Sequence, residues 1–170
     1  EPSLYFFDHA DLHETPLFRD ADEWPGARYS RGQPVLHIEL RKWAEIYVVA
    51  PLDAHSLGRF ALGLSDNLVS SVFRAWDFTR PVVLAPAMNT LMWESPVTRR
   101  HLASILEDRG DGKQPADWNL TDAPEVFARH APGIILVPPQ SKRLACGDIG
   151  TGAMAEVVQI AETVRGFSVT

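Results

Sequence analysis

One cysteine occurs in 170 residues, and its neighbours are those of an exposed thiol. Cys146 stands in LACGDIGTGAMAE (144–156), with glycines at 147, 150 and 152. A structural cysteine behaves as a small hydrophobe and belongs in a core. A glycine-flanked one is accessible, as thiol chemistry requires, but it needs partners to act. His37 lies in the otherwise apolar VLHIEL (35–40). There an imidazole is either a packing residue or, if it meets the thiol, a proton acceptor working near neutral pH. Asn89 follows Met88 in APAMNTLMW (85–93). Its amide can hold a carboxylate without adding charge, or cap the helix that follows. His9, His13, His101 and His130 stand in polar or loop contexts, with no i, i+4 pair and no cysteine cluster, so no metal centre is expected. No nucleophile elbow, Walker loop or GxGxxG run is present.

These residues need elements to position them. Three short β-branched runs without alternation, EIYVVAP (45–51), PVVLAPA (81–87) and GIILVPP (133–139), read as parallel strands covered on both faces. SLYFF near the start reads as a fourth strand. Helical patterns fall between them. PVLHIELRKWA opens with Pro34 at an expected first helical position. SLGRFALGLSDNLVSSVFRAW breaks near Ser65 and Asp66, SPVTRRHLASIL has Ser95 as N-cap, and AEVVQIAETVRGF closes the chain. The alternation predicts a single α/β domain, a doubly wound parallel sheet with helices on both faces. In such sheets ligands sit beyond the carboxyl ends of the strands. The loops there are APLDAHSL, APAMNTLMW and PPQSKRLACGD. Each could turn backbone amides toward a phosphate or make an ordinary strand-to-helix turn, and their convergence on one edge favours a ligand site. Residues 107–132, rich in Gly, Pro and Asp, read as a surface excursion with one helical turn. Most tryptophans fall at helical spacing and read as core or interface; Trp76 and Trp93 could reach a flat ligand.

Composition narrows the function classes. The chain is 45% hydrophobic and 22% charged, the profile of a globular domain. A net charge of −6 argues against nucleic-acid or membrane-surface partners. No apolar run approaches the roughly 20 residues of a membrane span. One cysteine excludes an intrachain disulfide, which with no signal-like start points to a cytoplasmic location.

Taken in order, VLHIELRKWAEIYVVAPL, DNLVSSVFRAWD, APAMNTLMWESP and KRLACGDIGTGAMAE resemble the flavin-containing cysteine decarboxylases, and the likeness covers most of the chain. The resemblance implies a flavodoxin-like (Rossmann-like) fold, with FMN bound between subunits of a homotrimer or a heterotrimer of related chains. It also implies loss of CO2 from the cysteine moiety of phosphopantothenoylcysteine, giving phosphopantetheine on the route to coenzyme A. Transient oxidation of the CH2–SH group to a thioaldehyde provides the electron sink that a simple carboxylate lacks. Carried residue by residue, His37 matches the essential histidine and Cys146 the acid that returns a proton. Asn89 matches the residue binding the substrate carboxylate, and Arg143, Ala145 and Met154 fall in a substrate-clamping flap spanning 140–156. Ser3, Asp53, Ala54, His55, Ser56 and Ala87 fall at flavin-contacting positions.

Three departures accompany the likeness. Family members carry a first strand and a Gly/Ser-rich FMN loop ahead of the point where this chain starts, so that unit is expected to be truncated, processed or supplied by a partner. DAHS (53–56) replaces the usual Ser-Ala-Asn-Thr and sets a carboxylate near the expected flavin site. The segment 107–132 is longer than in compact members and reads as an insertion. Alternative readings are a non-catalytic or partial-site subunit, a halotolerance-type phosphatase regulator, and a peptide-cysteine decarboxylase of the lantibiotic type.

Overall fold

The computed structural model describes residues 9–24, 26, 30–143 and 149–167. Three parallel strands make its centre: β1 (Tyr47–Leu52), β2 (Val82–Pro86) and β3 (Ile134–Leu136), in the order β1-β2-β3. Val48 pairs with Val83, which pairs with Ile135. Helix α1 (Leu36–Trp43) leads into β1, and α2 (Ala54–Leu62) and α3 (Leu68–Ala75) connect β1 to β2. Helices α4 (Thr90–Trp93), α5 (Pro96–Arg109) and α6 (Ala123–His130) connect β2 to β3, and α7 (Val157–Arg165) follows later. The reading SLYFF as a strand lies outside the described residues.

The lack of alternation in β2 has its cause in two covered faces. Val82 and Leu84 enter a large cluster with residues of α2, α3, α5 and α6. Val83 and Ala85 enter a second cluster with Val137, Ala155 and Ile160 of α7. Strand β1 differs from the expectation. Val49 and Leu52 enter the main cluster, but Val48, Ala50 and Pro51 are exposed, and no residue of β1 belongs to the second cluster that covers the other face of β2.

Local chemistry sets the helix ends. The expected break near Ser65 begins at Gly63, which ends α2 in the left-handed region (φ +66°), where a Cβ would meet the Arg74 guanidinium. Helix α3 then starts from an Asn67–Ser70 capping box. Phe60 of α2 stacks on Phe73 of α3 at 3.9 Å between ring centroids. Ser95 caps α5 with Pro96 just inside, as the sequence suggests. Pro34 does not open α1; Val35 is the cap residue and Leu36 the first helical one, because Val35 is held extended.

The stretch 107–132 is more interior than a surface excursion. Ala123, Val126 and Phe127 share one face of α6, and together with Trp118 and Ala131 they enter the main core. Trp76 and Trp93 are also buried in that core, Trp76 donating its indole N–H to the Arg80 carbonyl (3.3 Å), so neither is presented to a flat ligand. Trp24 and Trp43 are exposed. Strands β4 (Gln140–Arg143) and β5 (Ile149–Ala153) form an antiparallel hairpin within the expected flap. No helix among the described residues is long and apolar enough to cross a membrane.

Candidate active site

The parallel sheet brings the loops after β1 and β2 to one edge. After β1, the Asp53 carboxylate accepts the Ser56 amide at 2.7 Å and so caps α2. That turns the unexpected acid onto its own helix. Ala54 and Ser56 are half-buried and His55 exposed in the first turn of α2, where helix amides lack intrahelical partners. After β2, the Ala87 amide donates to the Leu52 carbonyl (2.9 Å), tying the two loops together.

Asn89 caps α4. Its Oδ1 accepts the Leu91 amide at 2.9 Å, so the donor end of the side chain, Nδ2, is the end suited to a carboxylate. The hairpin lies directly against this loop. Met88 donates its amide to the Gly152 carbonyl (2.9 Å). A Cβ at Gly150 would stand 2.5 Å from Thr90 Oγ1, and one at Gly152 (φ +154°) 2.2 Å from the Met88 carbonyl oxygen. Two glycines, set two apart on β5, thus let the hairpin approach the Asn89 loop. Thr90 Oγ1 is buried there with no hydrogen-bond partner among the described residues. Replacing Gly152 with Ala is expected to cost about 1–3 kcal/mol through backbone strain and collision with Met88. A lower urea midpoint at unchanged slope would register this, and an unchanged midpoint would contradict it.

The hairpin is anchored at its base. Gln140 donates through Nε2 to the Met154 carbonyl (2.7 Å) and to Glu156 Oε1 (2.8 Å), which Lys142 Nζ also reaches at 3.2 Å. The Gln140 hydrogen bond, followed by Lys142, holds the Glu156 carboxyl below its usual range. Met154 packs partly against the second core cluster. Arg143 is exposed at the end of β4. Ser3, Ala145 and Cys146 lie outside the described residues.

His37 stands in the first turn of α1 and lines a cleft of about 470 Å³ with Asp20, Glu23, Asn67, Ser71 and Arg74 among others. Its Nδ1 lies 2.5 Å from Glu23 Oε1, while Glu23 Oε2 accepts the His37 backbone N–H at 3.1 Å. Glu23 is buried, at 9% exposure. The sequence pattern did not single it out. It lies 14 residues upstream, past a short 3-10 turn (Asp20–Asp22), where no periodicity ties it to α1. Asp20 from the same turn accepts the Leu68 amide (2.7 Å) at the start of α3. The 20–23 segment therefore supplies carboxylates to two helix starts. Among the described residues, none that lines the cleft comes from the Asn89 loop or from the hairpin. Among the described residues, no group of three or more His, Cys, Asp or Glu could hold a metal ion.

The model of the family described as Flavoprotein matches residues 2–168. The chain belongs to the Flavoprotein family. It is 48% identical over 166 residues to phosphopantothenoylcysteine decarboxylase of Arabidopsis thaliana, covering 97% of this chain and 68% of that one. The mouse protein of the same name is 41% identical, with 97% and 68% covered. Among solved structures, a mutant PPC decarboxylase complexed with pantothenoylaminoethenethiol superposes with a TM-score of 0.77 at 47% identity, over 98% of this chain and 79% of that one. The FMN binding protein AtHal3 gives 0.73 at 47% identity, over 99% and 78%. This flavoprotein chain thus spans about two-thirds of the length of such curated relatives.

Proposed function

We propose that the chain is an FMN-dependent phosphopantothenoylcysteine decarboxylase. The observation that carries the reading is the juxtaposition, at the carboxyl edge of a Flavoprotein-family sheet, of the Asn89 cap, the glycine-admitted flap and the open first turn of α2. The residues fit FMN. The α2 start offers amides and the Ser56 hydroxyl to a phosphate, with Asp53 spent on capping, and small side chains at 54 and 87 leave the backbone approachable. The Thr90 hydroxyl, without a partner among the described residues, adds a polar group at the same edge. Ala54, His55, Ser56 and Ala87 would hold the group, with Asp53 fixing the turn. Bound FMN supplies reversible two-electron redox chemistry, which gives the substrate's thiol-bearing carbon an electron sink for CO2 loss.

The chain's own groups do the rest. Asn89 Nδ2 orients the substrate carboxylate, and His37 accepts a proton at Nε2, because Nδ1 is engaged by Glu23. Cys146 returns a proton at the final step. The flap, with Arg143, Ala145 and Met154, excludes water while this happens. We further propose a trimer in the cytoplasm, with FMN between protomers. That no described lining residue of the His37 cleft comes from the Asn89 loop supports this, as does the exposure of Trp43 (76%), Leu91 (78%) and Val157 (69%). The test is to purify the protein, quantify bound FMN, weigh it by light scattering, and offer phosphopantothenoylcysteine beside a peptide ending in cysteine. Turnover of the first alone by an FMN-bearing trimer is expected; a flavin-free monomer, or turnover of the peptide, would contradict it.

A further inference from the structure

We propose that Glu23 is the positioning residue of His37, fixing the imidazole with its proton on Nδ1 so that Nε2 faces the cleft as the base. This rests on the reading of His37 as the proton acceptor above. The geometry carries it. Both carboxylate oxygens are used on one residue: Oε1 on the ring nitrogen at 2.5 Å, Oε2 on the backbone N–H at 3.1 Å. A carboxylate accepts only, so the ring nitrogen facing it must carry the proton. The His37 side chain remains 23% exposed and that of Glu23 10%, so the pair sits at the cleft wall with the acid behind the imidazole.

A plain helix cap would explain half of this. Val35, the cap residue of α1, has no side chain able to accept a hydrogen bond, and Glu23 Oε2 serves the helix start in its place. Capping does not account for the second oxygen on the ring. The two roles separate in Glu23→Gln. Glutamine has one accepting oxygen and one donating nitrogen, so it cannot accept from both His37 donors; with its oxygen on the backbone N–H, its amide can only donate to Nδ1, and the ring proton moves to Nε2.

The experiment uses the FMN-loaded chain. The His37 ring is followed by 15N-resolved NMR, and steady-state kinetics are measured for wild type, Glu23→Gln and Glu23→Asp. Expected are a protonated Nδ1 with a far-downfield proton resonance in wild type, and loss of that resonance in Glu23→Gln. With it, kcat should fall at least about tenfold at a KM changed by less than about twofold. Glu23→Asp, which keeps the charge and both oxygens on a shorter stem, should fall between the two. A Glu23→Gln variant with lowered thermal stability but unchanged ring proton and kcat would overturn the proposal, leaving Glu23 a cap. If Glu23→Gln does not fold, Glu23→Asp decides by the same readouts: wild-type kcat and ring proton overturn the proposal, and a drop in kcat together with a shifted ring proton upholds it. The ring readout needs no substrate. A chain that shows the Nδ1 proton yet releases no CO2 upholds the pairing and contradicts the reaction instead.

Discussion

Exchanging His37 for Asn is expected to lower kcat by about 100-fold or more while the chain keeps its fold and its FMN. A positioned acid–base group contributes about 10²–10⁴ in rate. Asparagine can still place a donor near where Nδ1 stands and so satisfy Glu23 Oε1, but it has no basic nitrogen at the Nε2 position. The substitution therefore removes the proposed base and spares the hydrogen bond. His37 is only partly buried, so the change in stability should stay within about 1 kcal/mol. Steady-state kinetics beside a melting curve check this. Wild-type kcat with a depressed melting temperature would return His37 to a packing role.

The second large effect is expected at Cys146, and it should appear at a different step. Cys146→Ser keeps the shape of the side chain but replaces a thiol, unperturbed near about 8.5, by a hydroxyl several units less acidic. Each unit corresponds to about 1.4 kcal/mol between protonation states. In the proposed mechanism oxidation and CO2 loss draw on His37 and Asn89, whereas only the last proton delivery draws on the thiol. The variant should release CO2 and then stall, yielding a decarboxylated product two hydrogen atoms short of phosphopantetheine by mass spectrometry. Formation of phosphopantetheine at near the normal rate would remove Cys146 from the acid role.

What the sequence discloses and what it hides follow from how local each signal is. Strand β2 is legible because both its faces are covered, and covered faces leave a continuous apolar run. Ser95 and Asn89 announce helix starts because a cap is a matter of three neighbouring residues. The hairpin is not legible as strands. QSKR and IGTGA have no apolar alternation, since β5 is selected for close approach to Met88 and Thr90 rather than for a buried face. The interior role of Trp118 and Phe127 is masked by the Gly, Pro and Asp that surround them. Glu23 is the largest omission at the site. Its partner lies across an irregular connection, and only the packing of the 20–23 turn against α1 and α3 joins the two.

The most direct test of the decarboxylase reading is to incubate the purified, FMN-loaded chain with phosphopantothenoylcysteine labelled in its cysteine carboxyl carbon. Released label and product mass are then followed together. Expected is one labelled CO2 for each phosphopantetheine formed, at a rate lost in His37→Asn. Bound FMN and bound substrate with no label released would contradict the decarboxylase reading.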